Sequence, residues 1–72
     1  MDTETLQAVL KHFGYYKARV DGIKNRELDI ALRQFQKDAN LLSLGELDEE
    51  TLKKLNKLKE QWELDESLAY TE

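Results

Sequence analysis

The chain contains no cysteine, no proline and only one histidine among its 72 residues. Without cysteine it can form neither a disulfide framework nor a thiolate zinc site, and one imidazole is too few for a histidine metal cluster. Valine and isoleucine occur only twice each, against 13 leucines, and this shortage of β-branched side chains disfavours β-sheet. No apolar run approaches the roughly 20 residues needed to cross a bilayer. We therefore expect an all-α protein without a metal, a cofactor or membrane insertion.

The length allows one domain, and a chain this short buries only about 60% of its unfolded surface. Residues 1–4 lack the basic start and the apolar centre of a signal peptide. The sequence therefore leaves both an extracytoplasmic and a cytoplasmic location open.

The charges are unevenly distributed along the chain. Residues 60–72 carry five acidic side chains and no basic one, so residues 1–59 hold all 11 basic and the other 10 acidic groups. Residues 11–26 contain five basic side chains against Asp21 alone, with two tyrosines between them. Such a segment either contacts an anionic polymer or is an ordinary solvated loop. The pI near 5.0 argues against a dedicated nucleic-acid binder.

Apolar side chains recur at helical spacing in three segments, which predicts three amphipathic helices around a shared core. The first helix begins near Thr3 and ends at Gly14, and the second ends at Asn40. Asn25 and Asp48 are the expected N-caps of the second and third helices. The three apolar stripes are Leu6, Val9, Leu10 and Phe13; Leu28, Ala31, Leu32, Phe35 and Ala39; and Leu52, Leu55, Leu58 and Trp62.

The two connectors between these helices share a pattern, in which a glycine precedes the next N-cap by three positions: Gly22 before Asn25, and Gly45 before Asp48. We expect both connectors to fold over the core, with Ile23 and Leu47 as hydrophobic anchors near the helix starts. Gln7 and Gln36 are expected to hydrogen-bond loop carbonyls, since an unpaired buried group in a loop costs about 1–3 kcal/mol.

No catalytic constellation is evident. Asp21 with Glu27 or Asp29 could form an acid/base pair, but nothing in the sequence places them in a shared cleft. Ser43, Ser67 and Thr51 have no base other than His12, which we expect to be structural or simply exposed. The pattern favours a noncatalytic domain.

An ordered series of motifs runs through most of the chain: Leu6-Gln7, Leu10, Phe13-Gly14-Tyr15-Tyr16, Val20-Asp21-Gly22-Ile23, Ala31, Phe35-Gln36, Leu41, Gly45, Leu47-Asp48, Thr51-Leu52 and Leu55. This series resembles the peptidoglycan-binding-like domain family over about residues 3–58. The resemblance implies a compact three-helix bundle with two ordered loops, attached to a larger and often hydrolytic protein. It also implies peptidoglycan as the ligand and a cell-wall location.

Two positions depart from the family pattern. Asn25 stands where the family usually has a second glycine, and Asn tolerates positive φ and can cap a helix. Leu28 replaces a threonine whose counterpart in the second unit is Thr51. If that hydroxyl contacts ligand, binding is weakened; if it caps a turn, little changes.

The candidate ligand-binding residues are Tyr15, Tyr16, Lys17, Arg19 and Arg33, because sugar faces stack on aromatic rings and peptide carboxylates pair with cations. Tyr15 is expected to fold onto the second helix as part of the core, which leaves Tyr16 as the more exposed tyrosine. Structural roles are assigned to Gly14, Asp21, Gly22, Asn25, Phe35, Gln36, Gly45, Asp48 and Thr51.

We divide the chain into the binding-type domain at residues 1–59 and the end of the third helix with an acidic extension at residues 60–72. Trp62 is expected either in the core, as a lid, or in contact with a partner. Asp65 either caps one more turn carrying Leu68 and Tyr70 or begins a frayed end.

The alternative function is a structural or protein-interaction domain that keeps the fold without glycan binding and packs on a partner or an attached catalytic domain. The related metalloproteinase propeptides inhibit through a thiolate on zinc, which a chain without cysteine cannot do. A small nucleic-acid binder is the third alternative.

Overall fold

The computed structural model describes residues 1–69, with side chains through residue 64, and folds this part of the chain into three helices. Helix α1 spans Thr3–His12, α2 spans Arg26–Asp38 and α3 spans Glu49–Ala69. Loop 1 (residues 13–25) joins α1 to α2, and loop 2 (residues 39–48) joins α2 to α3. The predicted all-α, three-helix architecture is confirmed.

The helix ends follow the predicted capping residues. Gly14 (φ +88°) and Asn40 (φ +60°) adopt the left-handed conformation just after α1 and α2, which turns the chain out of each helix. A side-chain oxygen accepts a first-turn N–H at the start of every helix, and the bonds are Thr5 N to Asp2 Oδ1 (2.9 Å), Leu28 N to Asn25 Oδ1 (2.8 Å) and Thr51 N to Asp48 Oδ1 (2.9 Å). Such a cap stabilises its helix, because it satisfies an N–H that has no partner within the helix.

The core lies where α1 packs against both α2 and α3. Its buried apolar side chains come from all three helices and from loop 1: Leu6, Val9, Leu10, Tyr16, Leu28, Ala31, Leu32, Phe35 and Leu55. Leu10 and Leu55 are fully buried, and each burial of this kind contributes about 1.5–3 kcal/mol. All members of the predicted apolar stripes except Leu52 thus belong to one cluster or pack against it.

The aliphatic side chains of the loops contribute less to this core than expected. Leu47 is partly buried against it, but Ile23 is 65% exposed, so its predicted role as an anchor is wrong. Leu42 and Leu44 of loop 2 are also exposed, at 74% and 46%. The loops are held by hydrogen bonds to buried amides, which fix the backbone without burying these side chains.

Gln36 provides that hold for loop 2. Its side chain is fully buried, and its Oε1 accepts the N–H of Gly45 at 3.0 Å. Its Nε2 donates to the carbonyl of Glu46 at 2.8 Å and to Thr51 Oγ1 at 2.9 Å. One amide therefore connects α2, loop 2 and the first turn of α3, as the sequence predicted for Gln36.

Helix α3 continues without a break past Trp62 to Ala69. Asp65 lies inside this helix, so no separate turn begins there, while the tail position Tyr70 lies outside the described residues. Within residues 1–69, every helix is too short or too polar to cross a lipid bilayer.

Replacing Gln36 with alanine is expected to lower the free energy of unfolding by about 2–4 kcal/mol, because three polar groups of loop 2 and α3 lose their partner. The matched control is Gln34→Ala, since Gln34 is exposed on the same helix and donates only to Asp38 at 3.2 Å. Urea unfolding followed by circular dichroism measures both changes. Equal midpoints for the two variants would contradict the assigned role of Gln36.

Candidate ligand-binding surface

The beginning of loop 1 is bound to the end of α1 by two hydrogen bonds to one carbonyl. The N–H groups of Tyr15 and Tyr16 donate to the Leu10 carbonyl at 2.8 and 3.1 Å, just after Gly14 has reversed the chain. Successive side chains then leave the backbone in different directions. The Tyr16 side chain enters the core, and the Tyr15 side chain lies against α2.

Tyr16 is 1% exposed, so the expectation that it is the more exposed tyrosine is wrong. Its hydroxyl donates to the Arg19 carbonyl at 2.6 Å and accepts from Gln7 Nε2 at 3.1 Å and Asn25 Nδ2 at 3.0 Å. The tyrosine hydroxyl stays in the interior because these bonds satisfy it, and the ring is thereby removed from the surface. Tyr16 acts within the fold and presents no ring face to a ligand.

Gln7 holds loop 1 in the way that Gln36 holds loop 2. Its buried Oε1 accepts the N–H groups of Asp21 at 3.1 Å and Gly22 at 2.8 Å. Its Nε2 lies 2.9 Å from the Ile23 carbonyl and also approaches the Asp21 carboxylate and the Tyr16 hydroxyl. The turn formed by residues 21–23 is thus bound to α1 through the Gln7 side chain.

This arrangement explains the missing hydroxyl at Leu28. In the second unit, Thr51 Oγ1 accepts a hydrogen bond from Gln36. In the first unit, the hydroxyl that accepts from the equivalent amide of Gln7 belongs to Tyr16. The departure at Leu28 therefore leaves no buried amide without a partner.

The Asp21 carboxylate serves the same turn. Its Oδ1 accepts the N–H of Ile23 at 2.9 Å and a contact from Gln7 Nε2 at 3.2 Å. The Ile23 N–H, followed by the Gln7 amide, lowers the pKa of Asp21 below its ordinary value of 3.8. Asp21 therefore has the structural role that the sequence predicted.

Three cations surround the tip of loop 1. Lys17 and Arg19 are exposed on either side of Ala18, and Lys11 Nζ donates to the Ala18 carbonyl at 2.8 Å. Within residues 1–64, no acidic side chain lies at ion-pair distance from any of the three. This surface, formed by Lys11, Lys17 and Arg19, is called the loop 1 cationic surface below.

Tyr15 lies beside α2 and is partly buried. Its ring meets Phe35 edge to face, with the ring centroids 5.6 Å apart, and its hydroxyl donates to Asp38 Oδ2 at 2.9 Å. Burial, followed by the neighbouring Asp38 carboxylate, raises the pKa of Tyr15 above its ordinary value of 10.0. The predicted contact of Tyr15 with α2 is present.

Arg33 belongs to a different part of the surface. Its Nε pairs with Asp29 Oδ2 at 3.1 Å, and its guanidinium approaches the Ser43 carbonyl of loop 2 at 3.4 Å. Ser43 Oγ in turn donates to the Arg33 carbonyl at 3.0 Å. The described contacts therefore connect Arg33 with loop 2 and do not bring it together with the loop 1 cations.

An open groove of about 660 Å³ lies between the starts of α1 and α2 and loop 2. Leu28 and Leu32 line its apolar part, and Asp2, Lys24 and Glu46 are among its polar residues. This groove could not be predicted from the sequence, because open space between two helix starts has no local sequence pattern.

His12 and Trp62 stack where α1 ends beside α3. Their ring centroids are 4.4 Å apart and the rings are nearly parallel, at 11°. Trp62 also packs against the core, which agrees with its predicted position in the core or over it. The pair connects the second half of α3 to α1.

Asp21 accepts the Ile23 N–H within loop 1, whereas Asp29 pairs with Arg33 within α2, so the described contacts do not join them as an acid/base pair. Within the described residues, no three His, Asp or Glu side chains lie close enough together to hold a metal ion.

A family model described as "Putative peptidoglycan binding domain" matches residues 2–55 of the chain. The localization factor PodJL from each of two strains of Caulobacter vibrioides is 38% identical over 50 residues. These matches cover 69% of this chain, which spans only about 5% of the length of these curated relatives. No solved structure matches. The family match confirms the resemblance inferred from the sequence and covers both loops held by the buried glutamines.

Asp21→Asn is expected to reduce the loss of stability below about pH 4. The folded-state pKa of Asp21 is depressed, so its contribution is present above 3.8 and is lost as the pH falls through the folded pKa. Asparagine keeps the acceptor oxygen but cannot titrate. Urea midpoints from pH 7 to pH 2 measure the effect, with exposed Glu60→Gln on α3 as the control. An acid profile for Asp21→Asn identical to that of the wild type would contradict the prediction.

Proposed function

Because the chain belongs to the peptidoglycan-binding domain family, whose model spans residues 2–55, we propose that it is a noncatalytic module that binds peptidoglycan and holds a larger protein on the cell wall. The family match is the observation that carries this proposal. It extends from the N-cap of α1 to the fully buried Leu55 of α3 and so includes the whole packed core.

The chemistry of loop 1 suits this ligand. Peptidoglycan consists of glycan strands that carry short peptides with carboxylate groups. Lys17 and Arg19 present two cations that no carboxylate of residues 1–64 neutralises at ion-pair distance. Cation–carboxylate hydrogen bonds are about twice as strong as those between neutral groups. We assign the contact with ligand to Lys17 and Arg19.

The noncatalytic part of the proposal is supported by the carboxylates near this surface, which already form hydrogen bonds within the fold. Asp21 binds the turn of loop 1, and Asp38 accepts hydrogen bonds from Tyr15 and Gln34. A general acid or base must reach the bond that reacts, and these carboxylates are directed into structural contacts.

The domain organisation remains part of the proposal. Residues 1–59 form the binding module, and residues 60–72 form the end of α3 with its acidic extension. The stack of Trp62 on His12 supports placing the beginning of this second segment against the module. The small share of the curated relatives that this chain matches supports a role as one domain within a longer protein.

A second candidate is a protein-interaction domain that keeps the fold without binding glycan and packs on a partner or an attached catalytic domain. The observation that favours it is the similarity to PodJL, which is named as a localization factor. On this alternative, the exposed side chains of the loops contact protein. A cell-wall location follows from the first candidate, whereas the second leaves the compartment open.

Co-sedimentation with purified sacculi tests the first candidate. We expect Lys17→Ala and Arg19→Ala each to weaken retention roughly 2- to 10-fold, as the loss of one charge-assisted contact predicts. Lys54→Ala removes an exposed cation from α3 and serves as the control, for which we expect unchanged retention.

Folded wild-type protein that stays in the supernatant at low salt would contradict the first candidate. Capture of an attached or partner domain by the same protein would then support the second candidate. Salt-sensitive binding to single-stranded DNA in preference to sacculi would instead point to a nucleic-acid function.

A further inference from the structure

Resting on the proposed function, we infer that loop 1 recognises the carboxylates of the peptide stems of peptidoglycan and not the faces of its sugars. The module would thus distinguish walls by the charge state of their peptides. The inference depends on two features of the described side chains, namely the packing of the aromatic rings and the position of the loop 1 cationic surface.

Sugar recognition by stacking requires an aromatic ring with an accessible face. Tyr16, the obvious candidate in the sequence, is 1% exposed and bound through its hydroxyl to three partners. Tyr15 is partly buried against Phe35, and its hydroxyl is engaged by Asp38. Both tyrosines of loop 1 are therefore committed to the fold.

The other Phe and Trp side chains through residue 64 are also engaged. Phe13 packs against the core and meets His12 edge to face, with the ring centroids 4.9 Å apart. Phe35 is buried, and Trp62 stacks on His12. Among the described side chains of loop 1, no aromatic ring is therefore exposed, since Tyr16 is buried and Phe13 and Tyr15 are partly buried.

The cations of loop 1, by contrast, point to an anionic ligand. Lys11 uses one of the three donors of its ammonium group for the Ala18 carbonyl, which leaves two for a ligand. Arg19 is exposed and has a planar guanidinium suited to bidentate pairing with a carboxylate. Asp21, the acidic residue of this segment, accepts the N–H of Ile23 and attracts Arg19 only weakly, without an ion-pair contact.

The backbone that carries these cations is fixed before any ligand binds. The carbonyl of Ala18 is bound by Lys11, and the carbonyl of the next residue, Arg19, is bound by the buried Tyr16 hydroxyl. A loop that is ordered in advance loses less conformational entropy on binding. Loop 1 therefore presents Lys17 and Arg19 from a rigid support.

Chemical amidation of the wall tests this inference while leaving the protein unchanged. Sacculi stripped of attached anionic polymers are treated with carbodiimide and ammonium chloride, which converts stem carboxylates to carboxamides and keeps the glycan strands. Mock-treated sacculi are the control. We expect wild-type retention to fall about tenfold or more on amidated sacculi, and to fall with added salt on untreated sacculi.

Peptide-free glycan strands, amidated in the same way so that their lactyl carboxylates are also blocked, provide a second probe, to which we expect no binding. Equal retention on amidated and untreated sacculi, or tight binding to peptide-free glycan, would overturn the inference and leave the proposed function standing. Failure to bind any of these materials would overturn both. Lys17→Gln with Arg19→Gln should weaken binding to untreated sacculi and have little further effect on amidated sacculi.

Discussion

Two buried glutamine amides hold this small protein together. A primary amide in an apolar interior is unfavourable unless its donors and acceptor are paired, and Gln7 and Gln36 meet that condition by binding the backbone of the two loops. Within the described residues, no buried side-chain nitrogen or oxygen lacks a partner. In a chain with so small a core and no cysteine for a disulfide, these bonds determine where each loop lies.

The position of loop 1 in turn determines which side chains meet solvent. The Tyr16 hydroxyl binds the Arg19 carbonyl, and Gln7 binds the N–H groups of the two residues 21 and 22 that follow the loop tip. With the backbone held in this way, Lys17 and Arg19 are exposed. The same bonds draw the Tyr16 ring inward. Because the hydrogen bonds of Gln7 and the Tyr16 hydroxyl bury the Tyr16 ring and leave Lys17 and Arg19 exposed, the surface of loop 1 is cationic and not aromatic. The proposed ligand chemistry follows from this.

Much of the fold could be predicted from the sequence, because helix periodicity and capping are local properties. Asn25, Asp48, Gly14 and Asn40 all act at the helix ends where their side-chain chemistry and backbone preferences place them. That Gln7 and Gln36 bind the loops was also predictable, since buried loop groups require hydrogen-bond partners. Which groups of the loops these two glutamines bind was not predictable, because it depends on how the loops cross the helices.

The site was predicted less well, for the same reason. The pair Tyr15 and Tyr16 offers two aromatic rings with no local signal for which one is buried, and the choice depends on hydrogen bonds to residues 7, 19 and 25. Arg33 could be chosen from its charge, but its pairing with Asp29 and loop 2 arises from tertiary structure.

Native-state hydrogen exchange at single-residue resolution tests the role of the glutamines most directly. The backbone amides of Asp21, Gly22 and Gly45 lie in loops, but because they donate to the glutamines they should exchange nearly as slowly as core helix amides. The backbone amide of Lys24 donates no hydrogen bond within the described residues and should exchange rapidly. Equally rapid exchange of all four amides would contradict the conclusion that buried glutamines hold the loops in place.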